Sequence, residues 1–435
     1  MDSSYDTVVI GAGPAGEVCA AQLGDAGRRV AIVESERVGG ECAFWACVPS
    51  KVLLRSEEPA NAARRVPGSD AALSGCASFA QASTWRDESV SNYDDTEHVP
   101  FLRDHHVTLI RGEARVDEPG IVRVGEQRIA YKTLVIATGS DPLIPDIPGL
   151  GGGKAWTPRE ATAAKTVPER LAILGAGPVG VELGQVFARY GSKVTLIEPG
   201  AAILSHEEPE TGALMAAMLA GERVDVLTGR HARSVEFRSG GVSITVDDDR
   251  TLEADTLLIA AGRVARSGNF NAQALGLRLR KGAIAVDDRC RATDNVYAIG
   301  DVNGISPFTH VAKYQARVAG DAILGKMTRA RYDAVPRCTF TDPEIASTGL
   351  TERQARERNA GCKVAKVDLT SAARASLYFD KEAPGFIKLV ADSATHALVG
   401  ATIMGPMASE MIGIASTAIN QRTSVEDLLQ TIQPF

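Results

Sequence analysis

The chain reads as an α/β protein: two units built on parallel sheets with crossover helices, then a smaller α+β region. Three observations predict this. A strand, glycine-rich turn, helix, strand and acidic residue follow one another near the N-terminus, and the same series returns 164 residues later. Short apolar strands ending in glycine turns recur between and after the two copies. From Val335 the pattern becomes strand-rich and closes on two helical segments.

Thr7–Ile10 is the first apolar strand. It runs into Gly11-Ala12-Gly13-Pro14-Ala15-Gly16, an Ala-rich helix, and a second strand, Arg29–Val33, that ends at Glu34. The first glycine of such a turn allows the tight bend. The second lets a pyrophosphate approach the backbone, and the third lets the helix pack on the strand. The helix N-terminus faces the phosphates, and the terminal carboxylate can take ribose hydroxyls. This is a Rossmann-like dinucleotide-binding unit, with Gly11, Gly13, Gly16 and Glu34 as its candidate ligands. Just downstream lies Gly39-Gly40-Glu41-Cys42-Ala43-Phe44-Trp45-Ala46-Cys47-Val48-Pro49-Ser50-Lys51. A nearby thiol pair can cycle between dithiol and disulfide and so store two electrons. A bound flavin or nicotinamide can supply or take them. The combination points to electron transfer between a nucleotide cofactor and a disulfide.

A polar helical stretch is expected from Ser50 to about Asp104. The alternating segments Val107–Val116 and Ile121–Ile129 predict a small antiparallel meander. Leu134–Ser140 reads as a buried strand with a glycine turn, and the Pro/Gly-rich run Pro142–Gly153 as a linker. The second copy follows. Leu171–Leu174 leads into Gly175-Ala176-Gly177-Pro178-Val179-Gly180, a helix, the strand Lys193–Ile197 and Glu198. Gly11 matches Gly175, Gly27 matches Gly191 and Glu34 matches Glu198, all at one offset. Two nucleotide sites imply two nucleotides, and flavin with nicotinamide is the natural pair. A carboxylate at Glu198 repels a 2′-phosphate, and the turn after it lacks a clustered arginine, with Leu204 six residues on. That favours NADH over NADPH. Leu257–Gly262 with Arg263, and Val296–Asp301, are further strands with turns. Phe386–Val390, Leu398–Met404 and the helices Ala408–Asn420 and Val425–Thr431 complete the chain.

Bulk properties exclude other classes. A length of 435 residues suggests about three domains. Aromatic content of 5% leaves the core to Ala, Val, Leu and Ile. Net charge of −7 without a basic block argues against nucleic acid as a partner. No apolar run approaches the roughly 18 residues of a membrane span. Asp2, Asp6 and the fingerprint argue against a signal peptide within the first thirty residues, so a cytoplasmic protein is expected. Seven scattered cysteines do not form a secreted disulfide framework. Cys19, Cys76, Cys290, Cys338 and Cys362 have no motif context.

These motifs resemble the class I pyridine nucleotide–disulfide oxidoreductases, the family of dihydrolipoamide dehydrogenase, glutathione reductase and mercuric reductase. The likeness lies in the order of fingerprint, Cys-x4-Cys-x-x-Pro-Ser-Lys, Ala-Thr-Gly, second fingerprint, Gly-Arg turn and Gly-Asp motif. It implies an FAD-binding domain (1–154), an NAD-binding domain (155–271), a central segment completing the FAD domain (272–333) and a C-terminal α+β dimerisation domain (334–435). A homodimer is implied as well. In such proteins Gly11, Gly13, Gly16, Glu34 and Gly40 would hold FAD, Asp301 its ribityl chain, and Thr138, Gly139, Thr309 and Ala312 would line the flavin. Gly175, Gly177, Gly180, Glu198 and Gly262 would hold the nicotinamide nucleotide. Cys47 would be the flavin-side thiol and Cys42 the one that attacks substrate. Lys51 and Glu182 match a family ion pair near the flavin.

Two departures stand out. The family carries a C-terminal His-x-His-Pro-Thr-x-x-Glu segment whose second His is the acid/base, and this chain has Gln433 and Phe435 at the two His positions. Disulfide turnover should suffer, since a positioned acid/base contributes roughly 10²–10⁴-fold. Between the cysteines stand Phe44 and Trp45, which either narrow access, stack on a flat acceptor or pack in the core. A mercuric reductase is disfavoured, because no cysteine follows Cys362 and no N-terminal metal domain is present. The expected function is an FAD-dependent NADH:disulfide oxidoreductase acting on a small or protein-bound disulfide. The alternatives are a quinone- or diaphorase-type acceptor reductase and a non-catalytic redox-sensing flavoprotein.

Overall fold

The computed structural model describes residues 3–66, 68–69, 73, 77–152, 154–268, 270–358, 361–371 and 385–432. Its contacts divide into two compact units. One comprises 1–49, 86–143 and 263–331, the other 50–85, 144–262 and 332–435.

The first unit is organised by a sheet with Ser3–Ile10 near its middle. On one side lie Val30–Glu34 and then Val107–Arg111, all parallel. On the other lie Gln127–Ile136, Val296–Ala298 and, antiparallel at the edge, Arg291–Thr293. Val8, Val9, Val30, Ala31 and Ile32 are all buried, as expected of a parallel strand covered on both faces. The helices Pro14–Asp25 and Thr309–Ile323 pack together on one face, through Ala15, Cys19, Leu23, Ala312, Ala316 and Ala319. Small residues let the two helices approach closely.

The expected meander is only partly formed. Ala114–Glu118, Ile121–Val124 and Gln127–Ile136 are antiparallel neighbours. Val107–Arg111 instead pairs in parallel with Val30–Glu34, and the chain breaks at Gly112, whose φ is 138°. Alternation over five residues looks the same in either pairing, so the sequence pattern does not separate them.

Among the described residues the second unit holds three sheets. Val224–Thr228, Lys193–Glu198, Arg170–Leu174 and Thr256–Ile259 form a parallel sheet in that order. The helix Pro178–Arg189 lies against it with Val181, Leu183 and Phe187 buried. Ala232–Arg238, Gly241–Val246 and Thr251–Ala254 form an antiparallel sheet that packs through Val235, Val242 and Ile244. The run expected as a linker is bound along part of its length: Leu150 is buried, and the Pro148 carbonyl accepts from the Val235 amide at 2.8 Å. The third sheet, antiparallel, has the order Arg337–Thr339, Glu344–Gly349, Leu398–Gly405, Phe386–Asp392, Cys362–Asp368. The helix Ala408–Gln421 covers it through Ala408, Ile412, Ala415 and Ile419. Gln433 and Phe435, and with them the expected loss of the acid/base, lie outside the described residues, as does Cys76. Among the described residues no helix is long and apolar enough to cross a membrane.

Candidate redox and nucleotide sites

Each fingerprint places its three glycines for a different reason. A Cβ on Gly11 would meet the Ala137 carbonyl at 2.4 Å, and one on Gly16 would meet the Gly11 carbonyl at 1.9 Å. In the second unit Gly175 would strike Ala260 at 2.4 Å, and Gly180 would strike Gly175 at 2.1 Å. The middle glycines differ. Among the described residues, Gly13 has nothing nearer than Gly40 Cα at 3.9 Å, and Gly177 has nothing within 4 Å. Both precede a helix that starts with proline, so unpaired amides at the helix N-terminus face the same side. The open space at the second glycine is where a pyrophosphate needs backbone, so the residues present at each turn fit a dinucleotide.

The two terminal acids repeat the same local bonding. Glu34 accepts the Ala12 amide at 2.7 Å and the Glu36 amide at 2.7 Å. Glu198 accepts the Ala176 amide at 2.8 Å and the Gly200 amide at 2.7 Å. Each carboxylate ties its glycine turn to the end of the neighbouring strand and keeps lone pairs for a ribose.

The cysteine segment is bent by Gly39 and Gly40, at φ 105° and 61°. A Cβ on Gly40 would meet Gly13 Cα at 2.7 Å, so this glycine lets the segment close on the first fingerprint. Cys42 lies in the short helix Gly40–Phe44, and Cys47 opens the helix Cys47–Arg64. A helix N-terminus favours a thiolate there. Thr309, at the start of the helix Thr309–Ile323, has its hydroxyl 3.3 Å from Cys47 Sγ. The Cys42 thiol is pushed well up, first by its hydrogen bond to the Cys47 sulfur and then by burial; Thr309 and Lys313 pull it the other way. Burial pushes Cys19 up to about 12 and Cys338 to about 11, which leaves both thiols protonated and unreactive.

Asp301 follows the strand Val296–Ala298. It accepts from the Ser140 hydroxyl at 2.6 Å, and Ser140 accepts in turn from Arg263 Nε at 2.7 Å. The Thr138 hydroxyl donates to the Arg266 carbonyl at 2.6 Å, while Gly139 sits at φ 74° and Ala312 is buried. Thr138, Gly139, Asp301, Thr309, Ala312, Cys42 and Cys47 thus belong to one unit. Ser140 and Arg263 were missed as site residues, although both adjoin residues singled out from the motifs.

The second unit contains Gly175, Gly177, Gly180, Glu198, Gly262, Lys51 and Glu182. Lys51 Nζ donates to Glu182 Oε2 at 2.7 Å, and the Phe340 amide donates to Glu182 Oε1 at 2.8 Å. The ammonium also lies 4.8 Å from the centre of the Phe340 ring. On the same helix face Gln185 accepts the Asp342 amide at 2.8 Å, and Arg189 pairs with Glu222 at 2.9 Å. Phe340 had no signal in the sequence, because nothing local links it to a lysine so far away.

The family model described as pyridine nucleotide-disulphide oxidoreductase matches residues 5–316, and that of its dimerisation domain matches residues 335–435. A mercuric reductase of Staphylococcus aureus is 32% identical over 100% of this chain and 80% of its own. A dihydrolipoyl dehydrogenase of Geobacillus stearothermophilus is 32% identical over 98% of this chain and 92% of its own. Identity therefore does not separate these two relatives. Among solved structures, the HOCl-induced flavoprotein disulfide reductase RclA from Escherichia coli superposes with a TM-score of 0.87 at 29% identity, over 99% of this chain and 96% of that one.

Proposed function

The chain belongs to the pyridine nucleotide-disulphide oxidoreductase family, whose members use FAD and NAD(P)H, and from that membership we propose that it carries electrons from NADH, by way of FAD, to the Cys42–Cys47 disulfide and on to an external acceptor. The observation that carries this reading is the pairing of Cys42 with Cys47 beside the Thr309 hydroxyl, in the unit that holds the first fingerprint. FAD, when bound, supplies a two-electron relay between nicotinamide and sulfur.

The chain's own groups divide the remaining work. Gly11, Gly13, Gly16, Glu34 and Gly40 bind the FAD pyrophosphate and adenosine ribose, and Asp301, held by Ser140 and Arg263, takes the ribityl chain. Thr138, Gly139 and Ala312 line the ring. Gly175, Gly177, Gly180, Glu198 and Gly262 take the nicotinamide nucleotide, with Glu198 favouring NADH. Lys51, fixed by Glu182, supplies positive charge one helical turn after Cys47. Cys47 carries negative charge, supported by the helix N-terminus and the Thr309 hydroxyl. Cys42 attacks the acceptor once its proton is lost. The C-terminal sheet, which matches the dimerisation domain, makes a homodimer. We place the enzyme in the cytoplasm, where its thiols stay reducible.

Replacing Cys42 with Ser tests the reading. Reduction of lipoamide, glutathione disulfide and quinones by NADH is expected to be lost. Retained quinone reduction would move the function to an acceptor reductase in which the disulfide is only a store. Mercuric ion belongs in the same panel, given the relatives found.

A further inference from the structure

Trp45, between the two cysteines, is held by parts of the first unit distant in sequence. Its ring stacks on Tyr93, with centroids 4.8 Å apart and planes at 26°. The Arg37 guanidinium lies 5.1 Å from the Trp45 centroid, and Arg37 Nε donates to the Tyr93 carbonyl at 2.6 Å. One residue further on, the Val38 amide donates to Asp95 at 2.7 Å, and Arg111 pairs with the same carboxylate at 2.7 Å. Phe44 is buried and meets His98 at 5.4 Å, so it is a core residue.

The partner segment has an uncommon backbone. Ser91, Asn92 and Tyr93 lie consecutively in the left-handed region, at φ 48°, 50° and 62°, and none is glycine. Such residues keep that conformation only where their surroundings over-determine it, and such strain gathers at functional sites. The Tyr93 hydroxyl is buried and has no hydrogen-bond partner among the described residues, so the stack rests on the ring.

We propose that residues 91–95 form a clamp that seats Trp45 and thereby fixes the segment between Cys42 and Cys47, making Trp45 and Tyr93 positioning residues for the redox pair. The inference rests on the reading that this pair cycles between dithiol and disulfide. A held segment keeps one sulfur within reach of the other, which raises its effective concentration and favours the disulfide. The stack commits one face of the indole to the chain's own packing.

The test measures the Cys42–Cys47 equilibrium in the FAD-loaded enzyme against mixtures of glutathione and its disulfide. In that exchange two glutathione thiols are oxidised to their disulfide as the protein disulfide becomes two thiols. The oxidised fraction is read by maleimide labelling and mass spectrometry. Tyr93→Leu and Trp45→Leu are each expected to weaken the disulfide about tenfold, equivalent to about 30 mV towards a more oxidising couple. Tyr93→Phe keeps the stack and is expected to match wild type. The Tyr93→Leu, Trp45→Leu double variant should do no more than either alone, because both break one clamp. If Tyr93→Leu fails to fold, Trp45→Phe carries the test, with a shift of about threefold expected. An equilibrium unchanged in Tyr93→Leu, or in Trp45→Phe where that is the variant used, overturns the clamp. A wild-type enzyme with no dithiol–disulfide transition at all overturns the functional reading beneath it as well.

Discussion

Glu182 offers the sharpest quantitative test within the second unit. Its carboxylate accepts from two donors at once, Lys51 Nζ at 2.7 Å and the Phe340 amide at 2.8 Å. Glutamine has one carbonyl oxygen and an amide that donates, so Glu182→Gln leaves one of the two donors without an acceptor. The Glu182 side chain is 7% exposed and that of Lys51 37%. Breaking a fully buried pair costs about 3–5 kcal/mol, whereas exposed pairs contribute about 0.2–1 kcal/mol. With Lys51 more than a third exposed, screening brings the Lys51–Glu182 coupling near the upper exposed value, about 1 kcal/mol. Glu182→Gln alone should cost more, about 2 kcal/mol, because a donor buried against the carboxylate is stranded. The assay is urea unfolding, followed by flavin release, of wild type, Lys51→Met, Glu182→Gln and the double variant. A coupling energy indistinguishable from zero would refute the pair. Stopped-flow reduction by NADH gives the functional arm: Lys51→Met should slow it on the order of tenfold to a hundredfold, and an unchanged rate would remove Lys51 from the mechanism.

The other predictions use isolated features. Gly177→Ala adds a methyl that meets nothing within 4 Å among the described residues, at an ordinary φ of −74°. It should leave folding and flavin content intact while raising the KM for NADH about tenfold or more, since it fills the space the pyrophosphate needs; a normal KM would show the turn is not the nicotinamide site. Glu17 is held up at about 7 from an ordinary 4.5, first by burial, with Lys313 lowering it and Glu34 raising it, and His98 Nδ1 is 3.9 Å away. The folded state therefore binds a proton that the unfolded state has released between those two values. The stability this contributes is complete below about 4.5 and is lost as pH rises through about 7. Glu17→Gln should abolish that fall, worth at most about 3 kcal/mol, and urea midpoints from pH 5 to pH 8 that run parallel to wild type would contradict it.

Much of the fold was legible because its signals are local. The third glycine of each fingerprint answers to a neighbour within its own turn, Gly16 to Gly11 and Gly180 to Gly175, and the repeat at one offset carried both parallel units. The C-terminal strands and helices likewise match their apolar runs closely, Leu398–Gly405 and Ala408–Gln421 among them. What the sequence hid is what depends on distant partners. The direction of Val107–Arg111 is decided by its neighbour Val30–Glu34, not by its own alternation. The Trp45–Tyr93 stack depends on a left-handed turn without a glycine to announce it. Phe340 reaches Lys51 only because the helix bearing Glu182, Gln185 and Arg189 grips Phe340 and Asp342. The roles of Cys42, Cys47 and Asp301 came from resemblance, since spacing alone does not say which thiol meets the acceptor.

The central claim is that the Cys42–Cys47 pair lies in the electron path, and an anaerobic titration of the FAD-loaded enzyme with NADH tests it most directly. The account predicts uptake of about four electrons per subunit, two for the disulfide and two for the flavin, with Cys42 and Cys47 becoming open to alkylation once the first pair has entered. Uptake of about two electrons, with no new alkylatable thiols, would contradict it.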